Sequence, residues 1–246
     1  MSVSNPTARQ SDFPPNSLPP ADFPVADLAV EAIIPMQDFL AERPDAPADA
    51  FLRRALDLTV TVFALLLLLP LLALIALLIR LDSPGPVLFI QRRVGKGGQE
   101  FPVYKFRSMF VDAEQRLDSV LAGNERSGPV FKMRRDPRVT RVGRPLRRCS
   151  LDEVPQLLNV LRGEMSLVGP RPALPREVAL YTPEQRGRLS VTPGLTGLWQ
   201  VSGRAELSFE QAVALDLEYV RRQSVGLNVA LILRTIPAVV TGHGAY

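Results

Sequence analysis

Apolar residues fall into three regimes along this chain. Residues 1 to 50 hold nine of the 23 prolines, with small and acidic residues between them and no sustained period; this is the composition of a mostly disordered tail. From Leu58 to Ile79, 22 residues dominated by Leu run without a charge. As a helix this stretch is about 33 Å long, enough to cross a bilayer core. Beyond it the pattern shortens. Asp82-Ser-Pro-Gly-Pro86 predicts a turn, and Val87 to Ile90 and Phe101 to Phe106 predict short strands around Gly95-Lys-Gly-Gly98. A short amphipathic helix is predicted from the acid pair Asp152-Glu153, whereas residues 128 to 148, dense in Arg, Pro and Gly, read as a loop. Val225 to Val240 is apolar but carries Asn228, Arg234 and Pro237. Too short for a span, it either lies along a bilayer surface or closes the core. The pattern divides the chain into a tail (1–50), a membrane helix (51–81) and an α+β domain (82–246).

Two arrangements fit the apolar helix. Pro70 lies near its middle and deletes a backbone bond, inviting a kink. Arg53 and Arg54 precede it, and Arg80, Arg92, Arg93 and Lys96 follow. Positive charge marks the cytoplasmic side, so matching flanks suit a helix that enters, bends at Pro70 and returns to one face. An ordinary tilted span with a proline kink fits as well. The run begins only after residue 55, so a secretory signal is not expected.

Charge is unevenly spread. The first fifty residues carry a net −6 and the remainder +10, and a basic body suits an anionic partner such as a nucleotide, a lipid phosphate or a membrane surface. Seven arginines lie between 134 and 148, with Phe131 the one ring nearby. Without interleaved aromatics no nucleic-acid partner is expected. One Cys149 excludes an internal disulfide and one His243 argues against a His-built metal site, so a metal would be oxygen-bound. Cys149 itself reads as a small packing residue. Gly95-Lys-Gly-Gly98 lacks the Walker spacing and reads as a hairpin turn. Trp199, in a glycine-spaced segment, is either an interface anchor or a core filler.

The chemistry concentrates in residues 147–172, RRCSLDEVPQLLNVLRGEMSLVGPRP. Ser150-Leu-Asp-Glu153 matches a helix capping box, yet Pro155 fits better if the helix starts at Asp152 or Glu153. Capping and function are both open for that pair, and they are compatible. A helix N-terminus favours an ionised carboxylate and attracts phosphate. Arg147 and Arg148 precede the pair and Arg171 follows it between two prolines; two carboxylates with several arginines can hold a metal, a nucleophile and a diphosphate together. Lys105 and Arg107 sit two apart, on one face if extended.

Five segments, SPGPVLFIQRRVG, KFRSM, GPVFKMRRDPRVTRVG, SLDEVPQLLNVLRGEMSLVGPRP and PGLTGLWQVSGR, follow one another behind the proline-containing helix. In this the chain resembles the bacterial polyprenyl-phosphate sugar-1-phosphate transferases, the monotopic phosphoglycosyl transferases that initiate exopolysaccharide, capsule and O-antigen synthesis. The resemblance covers about residues 51 to 246. It implies an α+β fold with a re-entrant membrane helix hinged at Pro70, interfacial amphipathic helices and a small α/β catalytic domain on the cytoplasmic face of the inner membrane. It implies that Asp152 attacks the β-phosphorus of a UDP-sugar, releasing UMP, and that undecaprenyl phosphate then takes the sugar phosphate. Glu153, with Asp152, would hold Mg²⁺, while Lys105, Arg107, Arg147 and Arg171 would face phosphate. The Gly242–Tyr246 ending resembles the branch using UDP-glucose or UDP-galactose. Where some members have Ser before the proline, this chain has Leu69, so the freed backbone must be satisfied otherwise. A protein partner for residues 1–50 is a further expectation. The competing class is a silent membrane-tethered adaptor, which would be expected to have lost part of the acid and arginine set.

Overall fold

The computed structural model describes residues 47–120, 133, 136–203 and 207–241. The expectations for residues 1–46, for Arg134 and Arg135 and for Gly242–Tyr246 lie outside the described residues. The remainder mixes helix and sheet as expected, behind one helix long and apolar enough to cross or embed in a membrane.

That helix, α1, is Pro47–Asp82, four residues longer at its start than the apolar pattern suggested. Proline is pre-shaped for a first helical position, Asp49 places negative charge in the first turn, and Asp49 pairs with Arg53 at 2.9 Å across one turn. Pro70 lies inside it and leaves the Leu66 carbonyl without its usual donor. One face turns inward through Asp57, Thr61, Ile75 and Ile79, while Phe63, Leu67 and Leu69 stay exposed.

Both ends of α1 fasten to the rest of the chain. Early in the helix, Arg54 donates to the carbonyls of Val160 and Leu161 at 2.6 and 2.9 Å, capping the last turn of α3 (Leu157–Arg162). Asp57 accepts from the Leu167 N–H at 3.0 Å. At the far end Ile75 and Ile79 pack on Phe106 and Leu146, and Asp82 accepts from the Val142 N–H at 3.0 Å.

β1 (Leu88–Val94) and β2 (Glu100–Phe106) form the expected antiparallel hairpin. The turn uses Gly97 and Gly98 at φ 68 and 80°, which glycine adopts without strain. β1 runs on through Gln91, Arg92 and Arg93, beyond its apolar start. A parallel pair, β3 (Ser166–Val168) and β4 (Gly194–Thr196), lies elsewhere. Its ends demand glycine, since a Cβ on Gly194 would stand 2.0 Å from the Gly169 nitrogen. A short helix, α4 (Leu198–Ser202), follows.

The core draws Val103 of β2, Val160 of α3 and Val168 of β3 together with Leu215 of α5 (Phe209–Arg222) and Leu231 of α6 (Val225–Thr241). Each such side chain contributes roughly 1.5–3 kcal/mol through burial. α5 opens on a capping box, with Ser208 Oγ accepting from the Gln211 N–H and the Gln211 side chain accepting from the Ser208 N–H. α6 closes the core on one face and exposes Val229, Leu233 and Ile236 on another. Asn228 does not break it, because its buried amide accepts from the Tyr219 hydroxyl at 3.0 Å.

Two local readings change. Within 128–148, Gly143–Arg148 forms a helix, α2, whose Pro145 sits in the first turn, where no N–H is needed. The acid pair caps no α-helix. Leu151–Gln156 is a 3₁₀ turn running into α3, entered through Ser150 in the left-handed region at φ 54° with no side-chain cap. A 3₁₀ turn accommodates Pro155 ahead of the α-helical bonds.

Candidate active site

The 3₁₀ turn packs against β2, and this brings Lys105 to the acid pair. Lys105 Nζ lies 2.6 Å from Glu153 Oε1, and Arg171 Nη1 reaches the same oxygen at 3.4 Å. Burial opposes ionisation of Glu153, but Lys105 and then Arg171 outweigh it and hold the carboxyl down at about 2. Asp152 is in no ion pair among the described residues. Burial, and then the Glu153 charge, push its carboxyl up to about 6, against the pull of Lys105 and Arg147. The two adjacent carboxylates therefore differ in kind. Glu153 is a fixed anion, whereas Asp152 is a basic carboxylate with an open face.

The strained approach supports this arrangement. A non-glycine residue in the left-handed region costs on the order of 1–3 kcal/mol and persists where surroundings impose it. Ser150 is the one such residue among those described, and it directly precedes the turn that carries Asp152.

Arg171 sits on a turn held from behind by two buried arginines. Arg93 Nη1 donates to the Pro172 carbonyl at 3.1 Å, and its Nε and Nη2 reach Gln91 Oε1. Burial, and then Arg171, pull the Arg93 guanidinium down to about 10. Arg188 pairs with buried Asp216 and donates to the Arg171 carbonyl at 3.4 Å. Arg93 and Arg188 escaped the sequence reading. The signal for Arg93 lay in the hairpin register, because Phe89 opposes Lys105 and Gln91 opposes Val103. Residues 89, 91 and 93 thus share the face of Lys105.

The structure brings Lys105, Arg147, Asp152, Glu153 and Arg171 to one cavity. Arg107 turns elsewhere. Although it borders the same cavity, its guanidinium donates to the carbonyls of Ser83 and Pro84 at 2.6 and 2.7 Å and to Ser83 Oγ at 3.0 Å, so it clamps the turn after α1. Cys149 is a half-buried free thiol on the cavity wall. Trp199 packs against the core and also lines the cavity.

Asp152 and Glu153 are the residues that could hold a metal here. Among the described residues no three acids, histidines or cysteines converge, so these residues alone do not encage an ion. Mg²⁺ commonly takes one or two carboxylates and completes its shell with substrate phosphates and water, which Asp152 and the free Glu153 oxygen fit.

A half-buried carboxylate beside a cation-paired one, with arginines around and an apolar helix attached, is an arrangement suited to phosphate chemistry near a membrane. Residues 48–242 match the bacterial sugar transferase family, and the chain belongs to it. It is similar to the exopolysaccharide production protein ExoY of Rhizobium meliloti, with 41% identity over 85% of this chain and 95% of that protein. It is also similar to the undecaprenyl-phosphate glucose phosphotransferase of Komagataeibacter xylinus, 46% identical over 84% of this chain. The undecaprenyl-phosphate galactose phosphotransferase of Salmonella typhimurium is 38% identical over 87%. The matches cover 39% and 45% of those two longer proteins, and 43% of the galactosyl transferase CpsE of Streptococcus agalactiae.

Proposed function

We propose that this chain is a phosphotransferase that moves a hexose-1-phosphate from a UDP-sugar, UDP-glucose or UDP-galactose, to undecaprenyl phosphate at the cytoplasmic face of the inner membrane, initiating a polysaccharide. The names of the relatives support the lipid and the reaction class, and they disfavour a silent adaptor. The observation that carries the reading is the Asp152 carboxylate, in no ion pair among the described residues, beside a Glu153 paired with Lys105 and Arg171.

In the first step an Asp152 oxygen attacks the β-phosphorus, forming an acyl phosphate as the bond to the UMP oxygen breaks and UMP leaves with that electron pair. In the second, an oxygen of undecaprenyl phosphate attacks the same phosphorus. The Asp152–phosphorus bond breaks, the carboxylate is restored, and a lipid diphosphate sugar departs. A carboxylate raised to about 6 is more basic than an ordinary Asp yet ionised at neutral pH, as a nucleophile requires. Arg147 and Arg171 suit bidentate holding of phosphate oxygens. Lys105 keeps Glu153 ionised beside the nucleophile. Mg²⁺, bound at Asp152 and Glu153, would offset diphosphate charge.

The membrane helix is re-entrant in this reading. Arg54, Asp57 and Asp82 bond to the domain that follows, which supports a reading with both charged ends on one side of the bilayer. From either end about eleven residues lead toward the middle, a depth of roughly 17 Å at 1.5 Å each, about half a bilayer core. Pro70 lies where the hinge must be.

UMP release by detergent-purified protein with Mg²⁺ and undecaprenyl phosphate, each UDP-sugar tried separately, tests the function. Release with one donor, absent in Asp152→Asn, is expected. Equal release by that variant would overturn the nucleophile assignment.

A further inference from the structure

The cavity that holds Asp152 continues beneath α1. Between the two stretches where that helix is fastened, Val60, Ala64 and Leu68 form one stripe at four-residue spacing, and all three line this cavity. Ile232 and Ile236 of α6 line it too, as does Trp199. At 1340 Å³ it exceeds the about 300–1,000 Å³ that houses a single small ligand. Its lining joins two chemistries: Lys105 of β2, Asp152 and Glu153 of the 3₁₀ turn and Arg171 are charged, whereas α1 contributes hydrocarbon alone and α6 mainly hydrocarbon. α1 and α6 also expose apolar residues outward, at Phe63, Leu67 and Leu233, so the apolar walls are elements already suited to lipid.

A ligand with an anionic head and a branched hydrocarbon chain matches that division. Resting on the function proposed above, we infer that the apolar part of the lining, Val60, Ala64 and Leu68 of α1 with Ile232 and Ile236 of α6, holds the isoprene units nearest the acceptor's phosphate. The lipid phosphate is then delivered to the Asp152 intermediate from the membrane side. The helix thus acts as half of the acceptor site as well as an anchor.

Ala64→Phe tests this by filling the apolar part, with Leu67→Phe on the exposed side of α1 as control. Two readouts separate the steps: formation of the covalent sugar-phosphate adduct without acceptor, and its discharge by undecaprenyl phosphate. Ala64→Phe is expected to form the adduct within about twofold of the wild-type rate while the KM for the acceptor rises tenfold or more; Leu67→Phe should change neither. Unchanged acceptor KM and discharge in Ala64→Phe would overturn the inference. If Ala64→Phe forms no adduct, Ile236→Trp narrows the same cavity from α6 and is read by the same criteria. Wild type forming no adduct with any UDP-sugar contradicts the proposed function instead. In that case a photoactivatable polyprenyl phosphate on Asp152→Asn decides the lipid site. Labels within 60–68 and 232–236 support it, and labels confined to other segments overturn it.

Discussion

Lys105 Nζ stands 2.6 Å from Glu153 Oε1, while Asp152, next in the chain, enters no ion pair among the described residues. This asymmetry sorts two adjacent carboxylates into different roles. Burial alone would raise both; the ammonium pulls on both, but only at Glu153, which it also hydrogen-bonds, does it outweigh burial. With one charge fixed, Asp152 is the carboxylate that the proposed mechanism uses as nucleophile.

Replacing Lys105 by Met removes that distinction. Glu153 then competes with Asp152 for a proton, and the pair holds fewer negative charges at neutral pH. Adduct formation is expected to fall about 10²–10³-fold, the scale of losing one preorganised electrostatic partner. Stopped-flow UMP release checks it, and a loss below about threefold would count against the pairing.

Asp152 should cost the metal-free protein stability. Its folded pKa of about 6 lies above the ordinary 3.9. The folded state therefore binds more protons between those values, and stability falls as pH rises through that window. In EDTA, Asp152→Asn is expected to exceed wild type by about 1–3 kcal/mol at pH 7.5, and the gap should close below about pH 4. Denaturant titrations at the two pH values measure it. A variant no more stable than wild type at pH 7.5 would contradict the raised carboxyl.

Arg107 and Arg171 should separate cleanly. Arg107→Met leaves the buried Ser83 carbonyl without this donor and frees the exposed Pro84 carbonyl to water, and is expected to cost about 1–3 kcal/mol of stability. Arg171→Ala, whose ion pair is long and 37% exposed on the arginine side, should cost under about 1 kcal/mol but raise the donor KM tenfold or more. Thermal unfolding beside donor kinetics distinguishes them.

These arginines also mark what was legible in the sequence. The hairpin, the apolar helix and the convergence of Lys105, Asp152, Glu153 and Arg171 follow from local pattern and motif order. Arg107 differs from Lys105 in its partners because β2 ends at Phe106, so the two-residue alternation that aligned the pair no longer applies at 107. Arg93 was read only as a basic flank because its partner, the Pro172 carbonyl, lies 79 positions away. No periodicity reports such a contact. The αL entry at Ser150 was hidden likewise, since Ser gives none of the signal that glycine gives at a positive φ. Pro155 announced a constraint on that turn without saying that 3₁₀ geometry would resolve it.

The re-entrant topology predicts equal labelling from one side. With Cys149 replaced by Ala, single cysteines at Ala48 and Pro84 should both react with an impermeant maleimide in inside-out vesicles and neither in intact spheroplasts. Reaction of the two positions from opposite sides would establish a span.

The most direct test of the account is intact-protein mass spectrometry after incubation with Mg²⁺ and a UDP-sugar but no lipid acceptor. The account predicts a single hexose-phosphate addition, mapped by fragmentation to Asp152, that disappears when undecaprenyl phosphate is added and never forms in Asp152→Asn. UMP released only in the presence of the lipid, with no modified protein at any time, would mean direct transfer between substrates and would contradict it.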